Sequence, residues 1–257
     1  MGARVLVCDD SPLLRRVLVD MLTEGGMQVV GEARDGDELI DRVRTLRPDV
    51  VTLDVEMPRR NGLDGLRELM RRHPTPVVMV SSLTGAGTAA TAEALEAGAV
   101  DAVAKPALRL TAAAWGSTRD DLLRAVRAAA GARVAPLTRT NRPARPGSAL
   151  AGRAGAAGGP LVVIAASTGG PRALQAVVPR LPSPLGAGVL IVQHMPEGFT
   201  ASLARRLAET STLGVREARD GDPISPGTAL VARAGRHLEV ASRDRVRLSA
   251  APPVGAL

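Results

Sequence analysis

The chain has 257 residues, a length that favours two domains over one. Hydrophobic residues make up 45% of the sequence but aromatic residues only 1%, so each core must be built from Val, Leu, Ile and Ala. The single cysteine, Cys8, excludes an internal disulfide framework, and no apolar run approaches the ~18 residues of a membrane span. We therefore expect a cytoplasmic protein without membrane insertion.

The net charge of +7 is unevenly distributed along the chain. Residues 109–160 carry 9 arginines against 2 acidic residues, a surplus equal to that of the whole chain. Because this segment is also rich in Ala, Gly and Pro, we interpret it mainly as a solvated linker. A basic stretch that neutralises nucleic-acid phosphates is the alternative, but no helix-turn-helix pattern follows, and we expect no nucleic-acid partner.

In the first half of the chain, short aliphatic runs alternate with amphipathic segments. This alternation predicts a doubly wound parallel sheet, in which ligands collect at the carboxyl ends of the strands. The predicted strands lie near residues 4–10, 28–31, 50–54, 76–81 and 100–104. The predicted helices lie near residues 13–22, 37–46, 63–72, 89–97 and 120–130.

Reactive side chains follow four of these strands, namely Asp9 and Asp10, Asp54, Ser81, and Lys105. Clustered carboxylates repel one another unless a hard divalent cation neutralises them, which suits Mg²⁺ with retained waters. A helix cap is the alternative for any single carboxylate. Lys105 is the only lysine among 33 cationic residues, so either a compact ammonium group is required there or the lysine arose by chance.

Several segments of the first half resemble the receiver domain of two-component response regulators, namely VCDDSPLLRR, VVTLDVEMPRRNGLDGL, PVVMVSSLT and AVAKP. The resemblance implies a flavodoxin-like five-stranded sheet and a phosphoryl group accepted by Asp54 from a histidine kinase. It also implies a set of Mg²⁺ ligands and phosphoryl contacts, which are Asp9, Asp10, Asp54, the backbone carbonyl of Glu56, Ser81 and Lys105. Ala102 departs from the pattern, because receivers usually place an aromatic switch residue three positions before the lysine.

The second half opens on a strand, turn and helix with the sequence LVVIAASTGGPR. Its aliphatic run predicts a buried, central parallel strand over residues 161–166, followed by Ser167 and a tight turn at Gly169 and Gly170. Pro171 favours the first turn of a helix, whose free amides would suit an oxyanion next to Ser167. A serine that only caps this helix is the alternative.

A second aliphatic run predicts a strand over residues 189–192 that leads into His194. Consecutive parallel strands commonly neighbour one another, so His194 would lie at the same sheet edge as Ser167, as activation of a nucleophile requires. A structural role is the alternative for a lone histidine. Further strands are predicted near residues 229–232, 238–241 and 246–248, with Asp220 and Asp222 in the turn before them.

IAASTGGP followed by IVQHMP resembles the catalytic domain of the CheB-type chemotaxis methylesterases. The resemblance implies a receiver domain over residues 1–130, a linker over 131–160 and a Rossmann-like α/β methylesterase domain over 161–257. It implies hydrolysis of glutamate methyl esters, and deamidation of glutamines, on methyl-accepting chemoreceptors, by a monomer whose esterase domain needs no cofactor. It assigns the nucleophile, the base and the oxyanion amides to Ser167, His194 and the segment Thr168, Gly169 and Gly170.

One part of the CheB pattern is not found. The third catalytic residue of that family is an Asp farther beyond the histidine than the 63 residues that follow His194. We therefore expect a C-terminally truncated, incomplete methylesterase domain that lacks this residue. A catalytically impaired phosphoacceptor that competes for the chemotaxis histidine kinase is the alternative function.

Overall fold

The computed structural model describes residues 2–81, 85–105, 112–134, 159–182 and 185–251. The chain divides into two compact units, Met1–Thr140 and Asn141–Leu257. Most of the predicted linker, residues 135–158, lies outside the described residues. Each unit has its own parallel sheet, as the α/β class requires.

The first unit alternates strictly between strands and helices. Its strands are β1 (Arg4–Cys8), β2 (Gln28–Ala33), β3 (Val50–Asp54), β4 (Val77–Ser81) and β5 (Asp101–Ala104). Its helices are α1 (Pro12–Glu24), α2 (Gly36–Leu46), α3 (Gly62–Arg72), α4 (Gly85–Glu96) and α5 (Ala112–Ala130). The strands form one parallel sheet in the order β2-β1-β3-β4-β5, which confirms the predicted doubly wound architecture.

Side-chain caps determine where three of these helices begin. The Ser11 side chain accepts a hydrogen bond from the Leu14 amide, immediately before Pro12 opens α1. Asp35 caps α2 and Asn61 caps α3 in the same manner. Each cap satisfies an amide that has no partner within the helix, so the chain turns sharply from the strand end into the helix.

The core of the first unit is aliphatic, as the composition predicts. Strands β3 and β4 are buried along their whole length. One cluster joins the sheet to α1 and α5 through Val and Leu side chains, among them Val5, Val50, Leu18, Leu22 and Leu122. Among the described helices, none pairs a span of membrane length with a sufficiently apolar sequence.

The second unit is a four-stranded parallel sheet in the order β6-β7-β9-β8, with an antiparallel hairpin of β10 and β11. The strands are β6 (Leu161–Ala166), β7 (Gly188–Gln193), β8 (Gly214–Glu217), β9 (Thr228–Val231), β10 (His237–Ser242) and β11 (Arg245–Ser249). The helices are α6 (Gly170–Val177), which a 3-10 turn (Val178–Arg180) extends, and α7 (Phe199–Thr210).

The prediction that residues 161–166 form a buried central strand is wrong in its position. Among the described strands, β6 is the outermost of its sheet, and three of its larger aliphatic side chains are exposed: Leu161 by 39%, Val162 by 37% and Val163 by 61%. An apolar run indicates a strand, but the position of that strand in the sheet depends on which other strands pair with it. Helix α7 and strand β8 were not predicted from the sequence.

The surroundings of two glycines in the first unit predict opposite effects of substitution by alanine on stability. A methyl group on Gly62 would collide with the carbonyl oxygen of Asp54, whereas one on Gly116 in α5 would meet no atom within 4 Å. We expect Gly62→Ala to lower the free energy of unfolding by about 2 kcal/mol or more. We expect Gly116→Ala to raise it by about 0.5–1 kcal/mol, because alanine restricts the unfolded chain.

Urea denaturation, with hydrogen exchange of the β3 amides to identify the transition of this unit, measures both variants. Equal stability of the two variants would contradict the close approach of α3 to the end of β3.

Candidate functional site

The predicted acidic cluster exists at one edge of the first sheet. Asp9 and Asp54 are buried and Asp10 is exposed, and ligand atoms of the three carboxylates lie within 4.8 Å of one another. They meet because β1 and β3 are neighbours in register, with Cys8 opposite Leu53. Two buried carboxylates beside one that faces solvent form a hard oxygen donor set, which fits Mg²⁺ with retained waters.

Lys105 and Ser81 lie at the same carboxyl ends of the strands as the acidic cluster. The Lys105 Nζ lies 2.6 Å from Asp54 Oδ2 and 3.2 Å from Asp9 Oδ2. The Lys105 amide donates to the Ser81 carbonyl at 2.8 Å, and Ser81 is buried at the end of β4. Although burial acts to lower the pKa of Lys105, the carboxylates of Asp54 and Asp9 raise it above its ordinary value. The ammonium group is therefore held in its charged form between the two buried carboxylates.

The pKa of Asp54 is raised well above its ordinary value. Burial raises its pKa from 3.8 to about 6, and the negative charge of Asp9 acts in the same direction. The ion pair with Lys105 opposes the shift, as does the Glu56 amide, which donates to Asp54 Oδ1 at 3.2 Å. The predicted role of the Glu56 carbonyl as a metal ligand stays a prediction.

In the second unit, Ser167 and His194 lie at the ends of two paired strands. Strands β6 and β7 are parallel and in register, with Ala166 opposite Gln193. The His194 amide donates to the Ala166 carbonyl at 3.0 Å, which extends the ladder by one step. Both functional side chains belong to exposed residues. The prediction that they share one sheet edge is therefore confirmed.

The turn after Ser167 leads directly into α6. Gly169 is the N-cap residue with a φ of 77°, and Pro171 lies in the first turn as predicted. No side chain caps this helix, so the alternative role of Ser167 as a cap is wrong. The Gly170 amide donates to the Ser167 carbonyl at 2.7 Å and is therefore not available to an oxyanion in this conformation.

Gln193 is a site residue that the sequence analysis missed. It is only 4% exposed, and its Nε2 donates to the Ser167 carbonyl at 2.9 Å and to the His194 carbonyl at 3.0 Å. A polar residue at the last position of an otherwise aliphatic strand was the available signal. Only the pairing of β6 with β7 reveals what that side chain contacts.

Six acidic side chains of the second unit have described hydrogen-bond or ion-pair partners. The pairs are Glu209 with Arg206, Glu217 with Thr200, Asp220 with the Leu248 amide, Asp222 with Arg216, Glu239 with Arg247 and Asp244 with Ser242. Asp220 and Asp222 lie between β8 and β9, in agreement with their prediction as turn residues. The absence of a third triad residue stays a prediction.

Comparisons with known proteins match both units. The model of the response regulator receiver domain matches residues 5–113, and the model of the CheB methylesterase matches residues 162–256. A protein-glutamate methylesterase/protein-glutamine glutaminase of Symbiobacterium thermophilum is 49% identical, over 98% of this chain and 72% of that protein. Proteins of the same name from Pyrococcus horikoshii and Bacillus subtilis are 45% and 43% identical, over 93% and 92% of this chain. The chain spans 66% and 68% of the lengths of these two relatives.

The raised pKa of Asp54 predicts a pH-dependent gain in stability for Asp54→Asn in the absence of divalent cations. Asp54 holds its proton more tightly in the folded state, with a pKa of about 6, than at its ordinary pKa of 3.8. Ionisation therefore destabilises the folded state above pH 6, and this cost disappears as the pH falls toward 3.8. Asparagine does not ionise, so we expect the variant to be more stable by on the order of 2 kcal/mol at pH 7.5.

Urea denaturation in EDTA at pH 7.5 and pH 4.5 measures this difference, which should fall to about a third at the lower pH. Asp20→Asn is the control, because Asp20 is exposed and its ion pair with Arg16 contributes less than about 1 kcal/mol. A gain for Asp54→Asn that does not change with pH would contradict the raised pKa.

Proposed function

Because the chain belongs to the CheB family of protein-glutamate methylesterase/protein-glutamine glutaminases and has a receiver domain, we propose that it hydrolyses glutamate methyl esters of methyl-accepting chemoreceptors in the cytoplasm. Deamidation of receptor glutamines is the second activity of the same site. The observation that carries this proposal is that Ser167 and His194 lie at the ends of adjacent strands. Helix α6 begins just after Ser167. The proposed domains are residues 1–130 and 161–257, joined by a linker over 131–160.

The chemistry follows from the two side chains. Ser167 Oγ attacks the ester carbonyl carbon while His194 accepts the hydroxyl proton. Amides near the start of α6, those of Thr168 and Gly169, stabilise the oxyanion. The tetrahedral intermediate expels methoxide, which takes the proton from His194 and leaves as methanol. Water, deprotonated by His194, then hydrolyses the acyl-serine to glutamate and free Ser167.

The first unit controls this activity through phosphorylation. Asp54 accepts the phosphoryl group of the chemotaxis histidine kinase, with Ser81 and Lys105 at the phosphoryl oxygens. Asp9, Asp10, Asp54 and the Glu56 carbonyl would hold Mg²⁺, which neutralises the charge of the carboxylates and the incoming phosphoryl group. The partly buried position of Lys105 between two buried carboxylates supports this assignment. Phosphorylation raises the hydrolytic activity of the second unit.

A second candidate function is a phosphoacceptor that competes for the kinase without hydrolysing esters. The acidic cluster of the first unit favours it, because Asp9, Asp10, Asp54 and Lys105 meet independently of any hydrolysis by the second unit. Replacing the orienting carboxylate by an amide lowers turnover ~10⁴-fold in the triad of serine proteases. A phosphoacceptor of this kind would hydrolyse methyl esters more slowly by a similar factor.

Methanol release from methylated receptor, with and without a small-molecule phosphodonor and Mg²⁺, tests the proposed function. We expect the phosphodonor to increase release by the wild type and to have no effect on Asp54→Asn. Ser167→Ala should lower release by at least about 10³-fold, since it removes the nucleophile.

Ser242→Ala is the matched control, because Ser242 is exposed in the β10–β11 hairpin and should leave release unchanged. Hydrolysis that persists in Ser167→Ala would contradict the assignment of the nucleophile. Phosphorylation of Asp54 without any hydrolysis by the wild type would support the competing phosphoacceptor instead.

A further inference from the structure

We propose that Gln193 is a positioning residue, whose side-chain amide holds the backbones of Ser167 and His194 in a fixed relation. This inference rests on the proposed function, because it gives Gln193 a role in the reaction of that pair. Gln193 does not touch the reacting atoms. It acts through the two peptide units that carry the nucleophile and the base.

The hydrogen bonds of Gln193 join the two strand ends. Its Nε2 donates to the Ser167 carbonyl at 2.9 Å and to the His194 carbonyl at 3.0 Å. Two carbonyl acceptors require two N–H donors on one nitrogen, which a glutamine amide supplies and a carboxylate or thioether does not. Backbone pairing of β6 with β7 ends at His194, whose amide bonds to Ala166. The glutamine side chain therefore continues the link between the strands past the end of the ladder.

Gly170 provides the space that this side chain occupies. A methyl group on Gly170 would collide with Gln193 Oε1 and would lie 2.8 Å from Gln193 Cδ and from Ala166 Cβ. Gln193 Oε1 is buried and has no hydrogen-bond partner among the described residues, so packing against Gly170 rather than a bond determines its position. Gly170 and Gln193 therefore share a steric constraint, to which Ala166 also contributes.

The link matters because it acts where the backbone pairing of β6 ends. Among the described strands, β7 alone pairs with β6, and the Gln193 bonds add to the last backbone bond, from His194 to Ala166. The amide of Gln193 is buried, and its bonds are therefore shielded from competition with water. Without them, the Ser167 and His194 peptides can shift relative to each other. A displacement of about 1 Å between reacting groups can reduce turnover on the order of 100-fold.

Gln193→Met tests the proposal in the full chain, since methionine has a similar length but donates no hydrogen bond. We expect kcat for methyl-ester hydrolysis to fall about 10- to 100-fold with KM unchanged, because the substrate contacts remain and only the reacting pair is displaced. Gln175→Met, which makes the same change on α6, is the matched control and should retain wild-type kcat. A rise in KM at constant kcat would overturn the positioning role.

Gly170→Ala provides a second variant that retains the amide but displaces it. We expect it to lower kcat by a similar factor, while Gly186→Ala, where a methyl group meets no atom within 4 Å, leaves kcat unchanged. If both residues act through one contact, the double variant Gly170→Ala with Gln193→Met should lose much less than the product of the two single effects. Multiplicative losses would show that the residues act separately and would overturn the shared constraint.

Hydrogen exchange decides the positioning role independently of hydrolysis. In Gln193→Met, the amides of His194 and Gly170 should exchange at least about tenfold faster, because their acceptors Ala166 and Ser167 lie at the released ends. The Ala232 amide, bonded to Ile191 at 2.7 Å, should be unchanged. Unchanged exchange at His194 and Gly170 would overturn the proposal. A wild type without Ser167-dependent hydrolysis would refute the proposed function alone, and the exchange rates would still decide the role of Gln193.

Discussion

The pairing of neighbouring parallel strands is the constraint on which both sites depend. Because the strands of a parallel sheet all point the same way, the residues that follow them meet at one edge. In the first unit, pairing of β1 with β3 and of β4 with β5 brings Asp9 to Asp54 and Ser81 to Lys105. In the second unit, the register of β6 and β7 brings Ser167 beside His194. The chemistry of each site is therefore a consequence of strand register, which the buried aliphatic residues of β1, β3, β4 and β7 enforce.

The first site is also a place where the fold is held in an unfavourable electrostatic state. Burial raises the pKa of Asp54 to about 6, and Lys105 offsets only part of this cost. Two buried carboxylates face one ammonium group, so the edge of the sheet keeps an excess of negative charge when both carboxylates are ionised. A divalent cation bound by these carboxylates would relieve that excess, and its binding would be coupled to the ionisation of Asp54. Exposed pairs such as Arg16 with Asp20 have no comparable effect, because solvent screens them.

Local sequence signals predicted most of the first unit, because its helix starts and its buried strands depend on neighbouring residues in the sequence. Ser11 and Pro12 both favour the start of α1, and the aliphatic run that forms β3 is buried in full. The second unit was less predictable. An apolar run cannot distinguish an edge strand from a central one, so β6 was assigned to the interior, and the short, charged β8 has no clear period. Gln193 was missed because its two acceptors, Ser167 and His194, are fixed by tertiary pairing.

The two sites differ in how closely their reacting groups must be positioned. Charge neutralisation at Asp54 acts over several ångströms, so a cluster of carboxylates and one flexible ammonium group can supply it without exact alignment. Proton transfer between Ser167 and His194 requires a hydrogen-bond distance of about 3 Å. The backbone ladder between β6 and β7 ends with the bond from His194 to Ala166, one residue before Ser167. A buried side chain with two donors continues the restraint past that point, and Gln193 is placed to do so.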